Sequence, residues 1–167
     1  MTSASLAPDG AFTCRFEVRA ADLSPSGHVN NVAYLRYFDE ARFSFTGSSI
    51  GENVPRPGVL DPLGPEVLRA IVQQSVEYRR EVWYTERPAE VRIWVPHIGS
   101  RSFVIAGEVH DGATPEPAVV VEATMVTVDK ATRRAILLPD VVRARLAEYV
   151  GPRPVMRPRS GLEQLAV

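Results

Sequence analysis

Cysteine is nearly absent from this chain. Cys14 is the only one in 167 residues, which excludes an intramolecular disulfide and any CxxC or multi-thiolate metal site and suits a reducing cytoplasm. Net charge is nearly absent too: 19 Lys and Arg stand against 20 Asp and Glu, for a formal charge of −1. No basic excess marks a nucleic-acid footprint. With 45% hydrophobic and 23% charged residues, the composition is not that of a disordered chain. Residues 1–10 lack a basic region followed by an apolar run, and no later segment has about 18 uninterrupted apolar residues. Secretion and membrane spanning are therefore not expected. Also missing are a Gly-x-Gly-x-x-Gly opening a helix, a Walker loop, His-Glu-x-x-His and a Gly-x-Ser-x-Gly elbow.

What is present fits one core of ordinary size. Residues 1–10 are expected to be a flexible start, 11–150 one domain, and 151–167 a loose tail containing Pro and Arg. From Phe12 to Arg19, Phe12, Cys14, Phe16 and Val18 alternate with Thr13, Arg15, Glu17 and Arg19, the period of a half-buried strand. Val67 to Glu81 is ambiguous, since Val67, Leu68 and Ile71 would suit a helix, but the alternation of Leu68, Ala70, Val72, Gln74, Val76 and Tyr78 favours a long strand; strands then follow over Val91 to Val95, Phe103 to Val109 and Val119 to Val128. Ile98 to Arg101 and Asp111-Gly112 supply the turns. Asp140 to Val150 reads as an amphipathic helix. One long helix and then strands with short antiparallel connections make an α+β arrangement. Gly47 to Pro65, rich in Gly and Pro, is a long loop, either a lid or pocket wall or a plain surface insertion.

The densest chemistry lies between Asp22 and Arg42. Ser24, Pro25, Ser26 and Gly27 stop the first strand, and Asn30 or Asn31 can cap a helix beginning at this point. From Val32 to Phe45 apolar residues cover most of a helical circumference, so this helix is expected to be buried. Arg36, Asp39 and Glu40 share one stripe, which must meet water, a ligand or a partner.

Gly27-His28-Val29-Asn30-Asn31, then Tyr34, then Asp39-Glu40-Ala41-Arg42 resembles the hotdog-fold acyl-CoA thioesterases, in the 4-hydroxybenzoyl-CoA thioesterase-like branch. The resemblance spans roughly Phe12 to Val150 by order of elements. It implies a long central helix wrapped by an antiparallel β-sheet, and hydrolysis of an acyl-CoA or acyl-carrier-protein thioester to an acid and a thiol. It also implies a homodimer or homotetramer with sites at the interface. No metal or redox cofactor is expected, since coenzyme A or phosphopantetheine is part of the substrate. An edge strand as long and Val-rich as Val119 to Val128 would independently favour association. Hotdog hydratases are a more distant match: their Asp precedes His by five positions in an Asp-x-Asn-Pro context, whereas Asp22 precedes His28 by six.

Thioester hydrolysis needs a carboxylate to activate water or attack the carbonyl, and donors for the developing oxyanion. Backbone N–H groups around Gly27, His28 and Val29, next to the helix N-terminus, are the expected donors. His28 either hydrogen-bonds the thioester oxygen or orients water, or else knits the turn to the helix; Asn30 and Asn31 hold neighbouring groups through their amides. The resembling enzymes read Asp-x-Asp-x-x-Gly-His, and here the second Asp is Ser24. Three accounts stand: Glu40 takes the carboxylate role from the helix, Asp22 reaches the site by a small turn shift, or hydrolysis is lost and the domain only binds acyl thioesters. Alternatively Glu40 pairs with Arg36 for about 0.2–0.5 kcal/mol, and Asp22 caps nearby N–H groups. Tyr34 packs in the core or against the acyl chain. Arg79, Arg80, Arg101 with Ser102, Lys130, Arg133 and Arg134 are the cations available to coenzyme A phosphates, the first three being preferred.

Overall fold

Asn30 starts the long helix by accepting the Val32 N–H on its Oδ1 at 3.0 Å, as an N-cap amide does. In the computed structural model, which describes residues 4–47, 57–84 and 87–157, this helix α1 runs Asn31–Thr46. The strands are β1 (Phe12–Phe16), β2 (Val67–Tyr78), β3 (Ala89–Ile98), β4 (Ser102–His110) and β5 (Val119–Asp129), and a short helix α2 spans Asp140–Ala147. They form one antiparallel sheet in the order β1-β3-β4-β5-β2. The α+β arrangement with a long helix against an antiparallel sheet is the expected one.

α1 buries Ala33, Tyr34, Tyr37, Phe38, Ala41 and Phe45, a stripe at helical spacing. It packs on β1, β3 and β4. Facing it are Val91, Ile93, Phe103, Ile105 and Val109, all buried in the same cluster. Gly107 lets the helix approach, because a Cβ there would lie 2.6 Å from the Phe38 ring. Of the apolar residues expected to bury α1, Val32 is uncovered, at 54% exposed, while the stripe of Arg36 and Glu40 lies outward, since the sheet covers one side of α1 only.

β5 is not an edge strand, contrary to expectation: it lies between β4 and β2, and the edges are β1 and β2. Local alternation reports which face is buried and carries no strand order. β2 ends at Tyr78 rather than Glu81, because both Arg79 N–H (2.8 Å) and Arg80 N–H (3.4 Å) turn to the single carbonyl of Ala118.

The sheet face away from α1 carries a buried Glu108 and His110, 3.1 Å apart. Ser5 Oγ and the Leu6 N–H donate to Glu108 at 2.6 and 2.9 Å, and Trp94 Nε1 donates to the Pro152 carbonyl at 2.7 Å. Arg153 pairs with Glu122, and the Arg157 N–H donates to Glu77. Segments 4–9 and 151–157, expected to lie loose, are thus held on this face; residues 1–3 and 158–167 lie outside the described residues. So does 48–56 of the expected long loop, whose described ends meet at Arg69, which donates to the carbonyls of Gly47 and Leu60. Among the described residues no helix is long and apolar enough to cross a membrane.

Candidate active site

Between Leu23 and Val29, which pair as an isolated bridge, the chain closes a tight turn. Ser24 N–H donates to the His28 carbonyl at 2.8 Å, and Gly27 N–H to the Ser24 carbonyl at 2.9 Å. Gly27 takes a φ of 90°, a region that disfavours any side chain. The turn is stitched to residues 82–84: Val29 N–H donates to the Val82 carbonyl at 2.8 Å, and His28 bridges Trp83.

An open cleft of about 270 Å³ lies where this turn meets the start of α1. His28, Val29, Asn31 and Tyr34 form one wall; Tyr78, Arg79, Arg80 and Glu81 form the other. The structure therefore brings together six of the residues expected in the site. Ser24, Gly27 and Asn30 support it from the turn and the helix cap. Tyr78, Glu81 and Trp83 did not enter the sequence-based site, because nothing in the alternation of residues 67–84 links them to residues 28–34. Tyr78 closes the cleft by donating its hydroxyl to the Asn31 carbonyl at 3.2 Å.

Tyr34 is buried, and its hydroxyl accepts the Val82 N–H at 3.2 Å. Burial pushes this phenol up to about 12, against the smaller downward pull of that hydrogen bond and of Arg80, so it stays protonated. Tyr34 thus joins the core and lines the cleft at once.

Asp22 sits beneath the turn, 1% exposed. Its Oδ2 accepts the Arg19 N–H at 3.0 Å and the Tyr37 hydroxyl at 2.9 Å; Arg36 reaches Oδ1 at 3.2 Å. Burial raises its pKa, yet the Arg19 N–H, the Tyr37 hydroxyl and the Arg19 side chain with its charge outweigh burial and hold the carboxyl below its usual range. Arg36 therefore pairs with Asp22, not with Glu40. Glu40 is exposed and lies about 14 Å along α1 from Asn31, outside the cleft wall formed by this chain.

Two of the three expected oxyanion donors are occupied: the Gly27 and Val29 N–H groups bond to Ser24 and Val82, and that of Asn30 bonds to the Asp22 carbonyl at 2.8 Å. Among the described residues, the N–H groups of His28 and of Asn31, the first residue of α1, have no protein acceptor.

Two of the three preferred cations are paired within the chain. Arg79 bonds Glu77 at 3.1 Å and the Val155 carbonyl at 2.8 Å, and Arg80 grips Asp111 with two bonds of 2.6 and 2.7 Å. Arg101 and Ser102 lie at the β3–β4 turn, the far end of β4 from Asp111. Among the described residues no cluster of three or more His, Cys, Asp or Glu side chains could hold a metal ion.

The family model of the thioesterase-like superfamily matches residues 18–146, which includes the turn, α1 and the whole cleft. No curated protein matches the chain. Among solved structures, a 1,4-dihydroxy-2-naphthoyl-CoA thioesterase from Synechocystis is similar with a TM-score of 0.65 at 15% identity, over 82% of this chain and 96% of that one. A thioesterase from Thermus thermophilus, complexed with coenzyme A and Zn, gives 0.63 at 23% identity, over 89% and 100%. The protein SAV2348 of Staphylococcus aureus, in complex with CoA, gives 0.68 at 16% identity, over 99% and 97%. At these identities the likeness is one of fold.

Proposed function

The chain belongs to the thioesterase-like superfamily and has the hotdog fold, and from this we propose that it hydrolyses an acyl-CoA or acyl-carrier-protein thioester to a carboxylic acid and a free thiol. The observation that carries the reading is the cleft at the N-terminus of α1, where the N–H groups of His28 and Asn31 are left for a ligand oxygen. Donors fixed beside the positive end of a helix stabilise the oxyanion that forms when water adds to a thioester carbonyl. Tyr34 and Tyr78 offer flat apolar faces to the acyl group, and their rings stand 6.1 Å apart.

The substrate supplies coenzyme A or phosphopantetheine itself, and the reading asks for no metal or redox cofactor. Because Arg79 and Arg80 are already paired, the phosphates would be met by other cations. The working unit is proposed to be a homodimer or homotetramer in a reducing cytoplasm; the length of the edge strand β2 supports association.

A second reading, a non-catalytic acyl-thioester-binding protein, is favoured by the carboxylates: Ser24 stands where the family pattern has Asp, Asp22 is fully partnered, and Glu40 lies away from the cleft. Thiol release across aliphatic and aromatic acyl-CoAs and an acyl carrier protein separates the two. Release from at least one substrate supports the enzyme. Saturable binding of acyl-CoA without release from any substrate would establish the binder.

A further inference from the structure

We infer that the proton acceptor of this cleft is the His28 imidazole, positioned by a hydroxyl relay from Ser26 and Ser24, and not a carboxylate; the inference rests on the hydrolytic reading above. Three side chains stand in line. Ser24 Oγ lies 2.9 Å from Ser26 Oγ, and Ser26 Oγ lies 3.0 Å from His28 Nδ1. The Trp83 ring meets the imidazole edge-on, with centroids 5.8 Å apart and planes at 83°. Ser24 is also tied to His28 through the main chain by the 2.8 Å bond that closes the turn. The ring is thus fixed by a hydrogen bond, an aromatic contact and a closed backbone turn.

That arrangement decides which nitrogen acts. With Nδ1 engaged by Ser26, Nε2 is the nitrogen without a protein partner among the described residues, and the ring lines the cleft. If Nδ1–H donates to Ser26 Oγ and the Ser26 hydroxyl donates to Ser24 Oγ, Nε2 keeps its lone pair. When Nε2 takes up a proton, Nδ1–H and Ser26 stay as they were, so no reorganisation accompanies the step.

The carboxylates are less well placed. Asp22 is occupied by Arg19, Tyr37 and Arg36, and Glu40 is outside the cleft. Glu81 lines the cleft but has no hydrogen bond or ion pair among the described residues to fix it, and a general base must be held within reach of the proton it removes. Ser24, the substitution that removes the expected Asp, becomes the outer member of the relay.

The chemistry balances without a further reactant. Water adds to the thioester carbonyl carbon while its proton passes to His28 Nε2, and the oxyanion rests on the N–H groups of His28 and Asn31. As the C–S bond breaks, the imidazolium returns that proton to the thiolate sulfur, giving acid and thiol. The groups facing the ring across the cleft are Tyr34 of α1, Tyr78 of β2, and Arg79, Arg80 and Glu81. Arg79 and Arg80 pair with Glu77 and Asp111, Glu77 also meets Arg157, and Glu81 is the carboxylate on the cleft wall.

The test is the pH dependence of kcat/KM for thiol release from an acyl-CoA substrate, by the wild type and by His28→Gln, Ser26→Ala and Glu81→Gln. The wild type should show an acid limb carried by His28. His28→Gln should lose the limb and at least about 100-fold in rate. Ser26→Ala should shift the limb and lower kcat more than it raises KM, a change that mere loss of folding would not produce. An acid limb in the carboxylate range of about pH 4 to 5, or a Glu81→Gln loss exceeding that of His28→Gln, would overturn the inference while leaving the thioesterase reading intact. A wild type inert towards every thioester would overturn both.

Discussion

The Tyr37 hydroxyl donates to Asp22 Oδ2 at 2.9 Å, tying α1 to the segment that delivers the chain into the 24–28 turn. Burial first, and then the hydrogen bond to Asp22 and its charge, hold the phenol protonated, so it serves as a donor throughout the physiological range. The Asp22 main chain in turn receives the Asn30 N–H at 2.8 Å, which places the helix cap. A hydrogen bond to a buried charged group is worth about 1.5–3 kcal/mol, and Tyr37→Phe should lose that much by urea unfolding. A loss under about 0.5 kcal/mol, within the range of an ordinary surface change, would show that Asp22 is not the anchor of the turn.

A second expectation concerns acid. Asp22, Glu108 and Asp111 are all buried, which raises their pKa values. In each the hydrogen bonds and charges of the partners win and hold the carboxyl below its usual range. A depressed folded-state pKa means that the unfolded chain binds protons first as pH falls. The stabilisation is therefore present above about pH 4, where unfolded carboxylates are ionised, and is lost on going lower. The thermal midpoint should fall steeply from about pH 4 towards 2. Glu108→Gln should be less stable at pH 7 and show a shallower acid limb; an unchanged limb would remove Glu108 from this account.

Much of the fold and site was legible along the chain because it is local. Period-two alternation marks β1 and β2, and the Gly27-His28-Val29-Asn30-Asn31 run contains its own turn and cap. What was not legible depends on distant partners. Nothing near Asp22 shows that Tyr37 and Arg36 will saturate it from the far side of the turn. Glu77 and Asp111 neutralise Arg79 and Arg80, and Asp111 reaches Arg80 only because β5 lies between β4 and β2. The relay through Ser26 was within reach, since Ser24, Ser26 and His28 alternate within five residues, but it needs the closed turn to bring their side chains to one side.

Gly107 offers a packing test. A Cβ at this position would lie 2.6 and 2.7 Å from two Phe38 ring carbons, and that ring is fully buried in the core. Gly107→Ala should cost about 1–3 kcal/mol, as overpacked cores do. In a double-mutant cycle with Phe38→Leu the penalties should fall short of additivity, because the smaller side chain makes room. Strict additivity would mean that Gly107 serves some purpose other than close approach.

The edge of the sheet bears on assembly. β2 runs Val67–Tyr78 and pairs only with β5 among the described residues, so its other edge presents unpaired main-chain groups over most of its length. Val72, at the irregularity between Ile71 and Gln73, is 59% exposed. The opposite edge, β1, is a five-residue strand, and short edges are less open to pairing than long ones. β2 also reaches the cleft, since its last residue, Tyr78, bonds Asn31, so a partner laid along β2 would come close to the proposed site. Two β2 edges meeting antiparallel about a two-fold axis would bring the two copies of a residue near the strand centre together. Like charges there are destabilising. Light scattering should therefore find the wild type at or above dimer mass at micromolar concentration, and Val72→Lys shifted towards monomer, with thiol release falling in step if the interface completes the site. A wild type that is monomeric under these conditions would place the whole reaction in a single chain, and β2 would then be an edge protected only by its bulge.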